Sequence, residues 1–153
     1  MIIPSESPPL VFTKRIAPDR APSAPLRLAL TAEERTRTRH CFQRPPLPPI
    51  FLRLDRGTAL QPGDYLQSPT GEVLEILAQP ESVLTLTAPE GLTLTRLAYH
   101  LGNRHVALEI TPTYLRLAPD PVLEKMLRQF PVTVTAEIAP FCPEVGAYGR
   151  QGH

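Results

Sequence analysis

Proline constrains this chain more than any other residue. There are 20 prolines among 153 residues, where average usage of about 5% would give roughly eight. Half of them lie in the first 49 residues, most visibly in SPP, APSAP and RPPLPP. Because proline fixes φ and withholds a backbone N–H, such segments belong to turns and sheet edges rather than to helix interiors. The N-terminal half is therefore predicted to consist of short strands joined by stiff turns, with about the first 25 residues irregular.

Residues 26–78 alternate between apolar and polar side chains, as half-buried β-strands do. LRLAL, FLRLD and VLEILA carry the alternation, and the turn signals RPPLPP, QPGD and SPTGE interrupt it. EERTRTRHCFQR alternates as well and predicts an antiparallel strand, with the arginines at 35, 37 and 39 on one solvated face. A basic strand can bind a partner or keep a sheet edge soluble, and the second role is the commoner one.

The pattern changes after Pro80, where strands and helices alternate. The apolar residues of the first helix recur at i, i+3, i+4 and i+7, which defines one helical face. Asp120 precedes a proline at the start of the second helix, where aspartate is a favoured N-cap. The six elements are VLTLT, a helix with its apolar face at 94, 97, 98 and 101, VALEIT, TYLRLA, the helix DPVLEKMLRQF, and VTVTAEI.

The order βαββαβ is that of a ferredoxin-like domain, in which both helices cover one face of a four-stranded antiparallel sheet. The predicted fold class is therefore α+β. Residues 1–79 are predicted to form a small β-rich domain, residues 80–142 the ferredoxin-like domain, and residues 143–153 a flexible tail. The fold by itself gives no function.

Composition excludes several classes of protein. A hydrophobic fraction of 42% and a net charge of +1 are typical of a soluble globular protein and favour neither nucleic acid nor a membrane as partner. The start MIIPSESPPLVFTKR lacks an apolar stretch of about 7–15 residues, which predicts a cytoplasmic protein. Cys41 and Cys142 form no CxxC pair and are predicted to be reduced thiols.

The motif HLGNRH at 100–105 holds two of the four histidines. Positions five apart on a helix diverge by about 140°, so His100 and His105 cannot chelate one metal ion from an unbroken helix. If Gly102 and Asn103 end the helix, His105 lies at its C-terminal edge. In either case we expect only one of the two histidines to face outward toward a ligand.

A lone histidine is more often a surface or hydrogen-bonded residue than a metal ligand. A monomer could hardly hold a metal ion tightly through His105 alone. A two-fold symmetric dimer changes the count, because an isologous interface places the same residue of each chain beside its mate. The motif is therefore chemically useful only if the protein is a homodimer.

Three motifs in the C-terminal half carry a specific resemblance. AYHLGNRHV at 98–106, DPVLEKMLRQF at 120–130 followed by VTVT, and APFCPEVGAYG at 139–149 resemble the bacterial urease accessory protein E family, the dimeric nickel metallochaperones of urease maturation. The resemblance extends more weakly through LTAEERTRTRH and FLRLDRGTALQPGD, so it covers nearly all of the chain after residue 26. It implies a β-rich domain followed by a ferredoxin-like metal-binding domain.

The resemblance also implies a site and a role. His105 of both subunits would bind Ni(II) at the dimer interface, with His153 of the tail as a further ligand, while His100 packs or hydrogen-bonds within the domain. The protein would pass Ni(II) through the urease accessory GTPase toward apo-urease, as a carrier with no catalytic residues. Zn(II) or Cu(II) could occupy the same site, since the intrinsic affinity order places Cu(II) above Ni(II).

The chain departs from the family pattern at two places. Residues 118–121 read APDP where many members have histidines, and the chain ends RQGH rather than in a histidine-rich tail. Accessory metal sites and storage of several ions are therefore not expected. Cys142, in PFCPE, is interpreted as an incidental thiol rather than a ligand.

The sequence argues against two other functions. A ferredoxin-like sheet can host an RNA-binding module, but VALEI and VTVTAEI lack the aromatic side chains on which bases stack. A small hydrolase would need a nucleophile with its base and an anion-binding loop, and the sequence shows no such motif.

Overall fold

The computed structural model describes residues 8–57 and 59–145. The chain divides into two compact units. The first contains the described residues up to Ala78, with Val145, and the second contains Gln79–Glu144. Neither helix in the described ranges is long and apolar enough to cross a membrane.

The N-terminal unit is built from two small sheets. One has the strand order β1-β5-β4 and the other β2-β6-β7-β3. Strands β1 and β5 pair in parallel, as do β3 and β7, and the other pairs are antiparallel. The strands are β1 (Leu10–Phe12), β2 (Lys14–Ile16), β3 (Leu26–Leu30), β4 (Arg39–Phe42), β5 (Ile50–Arg53), β6 (Tyr65–Gln67) and β7 (Val73–Ala78).

The alternation seen in the sequence builds one core in this unit. Leu28 lies opposite Ile76 in the β3–β7 pair, and both are fully buried. Each such side chain contributes roughly 1.5–3 kcal/mol relative to exposure. The cluster comprises Phe12, Leu28, Leu30, Phe42, Ile50, Leu52, Leu54, Leu60, Leu66, Leu74 and Ile76.

The expectation that about the first 25 residues are irregular is wrong for Leu10–Ile16. The segment LVFTKRI supplies β1 and β2, and each pairs with a strand from far along the chain. The prolines at 8, 9 and 18 flank this segment without interrupting it. Its backbone N–H groups therefore remain available for strand pairing.

The predicted solvated face of arginines is wrong for Arg35, which is only 2% exposed, whereas Arg37 and Arg39 are exposed. Thr31 and Glu34 form a reciprocal capping box: Thr31 N–H donates to Glu34 Oε1 at 3.0 Å and Glu34 N–H to Thr31 Oγ1 at 3.2 Å. The turn of 3₁₀-helix that follows, Glu34–Thr36, carries Arg35 inward, where its Nη1 donates to Leu30 O at 2.8 Å. Only Arg39–Phe42 of this stretch forms a strand.

The C-terminal unit confirms the predicted ferredoxin-like order. Its elements are β8 (Glu81–Thr87), α1 (Gly91–Asn103), β9 (Glu109–Ile110), β10 (Leu115–Leu117), α2 (Pro121–Leu127) and β11 (Thr133–Ala139). The strands are ordered β11-β8-β10-β9 and every pair is antiparallel. Strands β11 and β9 therefore form opposite edges of the sheet.

The helices pack as the sequence pattern requires. Leu94, Leu97 and Leu101 of α1 are buried in a cluster with the inward leucines of β8 and β10. Asp120 caps α2 as predicted, accepting from Val122 N–H at 2.9 Å and Leu123 N–H at 3.1 Å. The packing fixes the axis of α1, and so the place where its C-terminal end reaches solvent.

Candidate metal centre

The end of helix α1 presents His105. The helix closes at Asn103 with Arg104 as C-cap. His105 N–H then donates to Gly102 O at 3.0 Å, and Val106 N–H donates to Leu101 O at 3.1 Å. This pair of hydrogen bonds is a Schellman motif, which satisfies carbonyl groups that the helix end would leave unpaired.

His105 occupies the position of that motif where glycine is usual. Its φ is +59°, in the left-handed region, which costs an L-residue roughly 1–2 kcal/mol. Val106 packs beside Leu101 on the apolar cluster, the hydrophobic contact that accompanies such caps. Residues held in this conformation occur preferentially at functional sites, because the surrounding structure must maintain them.

Both histidines of the HLGNRH motif are exposed. The expectations that only one of them faces outward and that His100 packs within the domain are therefore wrong. His100 lies about 100° around the helix from the buried Leu101. Its ring meets the ring of Tyr99 edge-on, with centroids 5.5 Å apart. Of the two possibilities that the sequence left open, the structure has the helix ending at Asn103, with His105 at its C-terminal edge.

The described residues of one chain do not complete a metal site. Within 8–57 and 59–145, no three side chains of histidine, cysteine, aspartate or glutamate are grouped so as to hold an ion. His153 lies outside the described residues. Near its C-terminal end, α1 therefore carries two exposed imidazoles, His100 in its last turn and His105 just after it.

The outward side of α1 is apolar at two positions. Leu92 and Tyr99 are 54% and 67% exposed. They are seven residues apart, which places them on one side of the helix. His105 follows at the end of the same helix.

A charged cluster lies on the sheet face that the two helices leave open. Arg116 of β10 donates from Nε to Thr85 Oγ1 at 3.0 Å, and its guanidinium lies 3.9 Å from Glu109 and 3.8 Å from Glu137. Tyr114 OH donates to Glu109 Oε2 at 3.0 Å. This hydrogen bond is the main reason that the pKa of Tyr114 is raised above its ordinary value.

Glu109 also accepts a hydrogen bond from the segment that follows β11. Its Oε1 accepts from Cys142 N–H at 2.9 Å, and Glu144 N–H donates to Leu108 O at 2.7 Å. The segment predicted to be a flexible tail from residue 143 is therefore tied to the domain as far as Glu144. Sequence reasoning missed these contacts, although a glutamate within the apolar strand VALEI was a signal for them.

Comparison with known proteins agrees with this two-part structure. A family model described as the N-terminal domain of the UreE urease accessory protein matches residues 12–79, and the corresponding C-terminal-domain model matches residues 81–153. The first match ends, and the second begins, near the division between the two compact units.

Several relatives match over most of their length. The urease accessory protein UreE of Nostoc sp. is 55% identical over 142 residues, covering 92% of this chain and 97% of the relative. That of Microcystis aeruginosa is 52% identical over 145 residues, covering 91% and 92%, and that of Nitrosococcus oceani is 43% identical over 144 residues, covering 94% and 85%. The fold and these matches define a two-domain urease accessory protein. The chain belongs to the UreE family.

The left-handed cap gives a stability test that is separate from metal binding. His105→Ala and His105→Gly both remove the imidazole, but only glycine adopts the observed φ without strain. We expect His105→Gly to be more stable than His105→Ala by about 1 kcal/mol, measured by urea unfolding of the metal-free proteins. Equal stabilities would show that residue 105 does not hold the left-handed conformation in solution.

Proposed function

We propose that this protein carries Ni(II) for urease maturation and binds the ion between two subunits through His105 of each. The observation that supports the proposal most strongly is the exposed His105 at the strained end of α1. A glycine would form the same cap at lower free energy, so a histidine there is best explained by what its imidazole binds.

The donor chemistry fits nickel. Imidazole is a suitable ligand for Ni(II) as well as for zinc and copper. One imidazole per chain becomes two when an isologous dimer forms about a two-fold axis. The exposed apolar residues Leu92 and Tyr99 on α1 support a dimer in which the two helix ends lie near the axis.

The tail is the proposed source of a further ligand. The backbone N–H of Glu144 donates a hydrogen bond to the carbonyl oxygen of Leu108. Leu108 lies three residues after His105, so the nine residues from 145 to 153 begin close to the site. Nine extended residues span at most about 30 Å, which is ample for His153 to reach the metal. A site built from two His105 imidazoles and tail ligands would allow ligands to be exchanged one at a time, which suits a carrier that must release its ion.

The proposed recipients follow from the family. The carrier would deliver Ni(II) through the urease accessory GTPase to apo-urease in the cytoplasm, without catalysing a reaction itself. Zn(II) and Cu(II) would compete for the site, so selectivity would depend on metal supply and on the recipient. RNA binding is not proposed, because Arg116 on the open sheet face lies between Glu109 and Glu137, whose charges repel phosphate.

The site can be tested with two histidines of the same helix end. His105→Ala should weaken the tightest Ni(II) site by at least about a hundredfold, because one substitution removes two symmetry-related ligands. His100→Ala, also an exposed imidazole, should leave it unchanged. Isothermal titration calorimetry of both variants makes the comparison, and the reverse pattern would refute the assignment to His105.

The interface can be tested without metal. We expect a dimer at micromolar concentration, and Leu92→Asp with Tyr99→Asp should shift it to monomer because both place charge in an apolar contact. Sedimentation velocity measures the change, with Val122→Asp as a control at an exposed apolar residue on the other helix. A wild-type protein that stays monomeric with and without Ni(II) would contradict the shared site.

A further inference from the structure

One face of the β1-β5-β4 sheet in the N-terminal unit carries two arginines beside a row of less polar side chains. Arg39 of β4 lies directly opposite Arg53 of β5, and both are exposed. The next row across the three strands consists of the half-buried Val11, Phe51 and Cys41. Side chains alternate along a strand, so these five residues share the face that points away from the core cluster. This surface is here called the arginine face.

The two arginines are opposed at the closest spacing that a sheet allows. Leu54 N–H donates to Thr38 O at 3.0 Å. The next pair along the strands, Arg39 with Arg53, is therefore a non-hydrogen-bonded pair, in which the Cα atoms lie about 4.5 Å apart. Like charges directly opposite each other destabilise a sheet. In the described part of the chain, no carboxylate forms an ion pair with either arginine, so their repulsion is not offset.

Other exposed arginines of the same unit have carboxylate partners. Arg27 of β3 lies directly opposite Glu75 of β7, and its Nε is 3.3 Å from Glu75 Oε1. Arg37 lies 2.8 Å from Glu33. The unit therefore contains the usual cross-strand solution, an arginine facing a glutamate, and the arginine face departs from it.

Each guanidinium group is held by a contact that leaves N–H donors open. Arg39 donates from Nε to Leu54 O at 3.2 Å, which leaves its Nη groups without an acceptor among the described residues. The guanidinium carbon of Arg53 lies 5.9 Å from the centroid of the Phe51 ring, a cation–π contact. A planar guanidinium group matches a carboxylate through two parallel hydrogen bonds. The arginine face therefore has the donors that bind a carboxylate.

We propose that the arginine face binds an acidic segment of another protein, whose carboxylate accepts hydrogen bonds from Arg39 and Arg53 and removes their repulsion. The neighbouring Phe51 favours a protein over a nucleic acid, because aromatic residues and arginine are enriched together in protein interfaces. Binding to nucleic acid depends instead on many phosphate contacts, and this face offers two unpaired cations. The inference goes beyond the proposed nickel site and does not depend on it.

The test titrates the full-length protein with a defined probe, a short synthetic peptide rich in glutamate with one central leucine. Amide and arginine Nε–H signals in NMR spectra at low salt report where the peptide binds, even when binding is weak. Saturable shifts should be concentrated at Arg39, Phe51 and Arg53. The same peptide with glutamine in place of every glutamate should cause no saturable shift, because it lacks the carboxylates.

Arg53→Glu is the most informative variant, because it gives Arg39 the kind of partner that Arg27 has in Glu75. It should weaken peptide binding at least about tenfold, yet raise the urea midpoint followed by the amide signals of β4 and β5, since attraction replaces repulsion. An arginine that only maintained the fold would not give this gain in stability. Arg27→Glu is the matched control: it changes the charge equally, should lower stability, and should leave peptide affinity within about twofold.

Several results would overturn the proposal. These are the absence of saturable shifts with the glutamate peptide, shifts on another surface, and shifts that persist in Arg53→Glu. Inorganic phosphate that caused the same shifts at the same concentrations would show a simple anion site rather than a protein-binding face. Single-stranded oligothymidylate that bound more tightly than the peptide, with the same dependence on Arg53, would assign the face to nucleic acid instead.

Discussion

Two hydrogen bonds close helix α1 and determine where the candidate ligand lies. His105 N–H to Gly102 O and Val106 N–H to Leu101 O turn the chain out of the helix through a left-handed residue. Leu101 is fully buried, so the packing of α1 on the sheet holds this turn in place. The exposed imidazole and the return of the chain into β9 both depend on that geometry.

A metal carrier needs a site that binds its ion and can also release it. One imidazole from a rigid helix end is too little to hold an ion, which makes the proposed site dependent on a second subunit and on the chain end. The end of α1 would supply the two fixed ligands, and the chain end a further one.

Much of this could be predicted from the sequence. The βαββαβ order and the Asp120 cap follow from periodicity and local chemistry, which do not depend on distant contacts. The burial of Arg35 could not be obtained from alternation, because the local capping box of Thr31 and Glu34 overrides it. The hydrogen bond between Cys142 and Glu109 joins residues 33 positions apart, and the left-handed His105 replaces the glycine that would have signalled the turn.

The stoichiometry of Ni(II) binding tests the central claim most directly. A site shared by two copies of His105 must hold one ion per two chains, whereas a site within one chain must hold one ion per chain. Calorimetric titration of the purified protein with Ni(II) measures this ratio for the tightest binding event. The account predicts about half an equivalent per chain, and a full equivalent per chain at that affinity would contradict it.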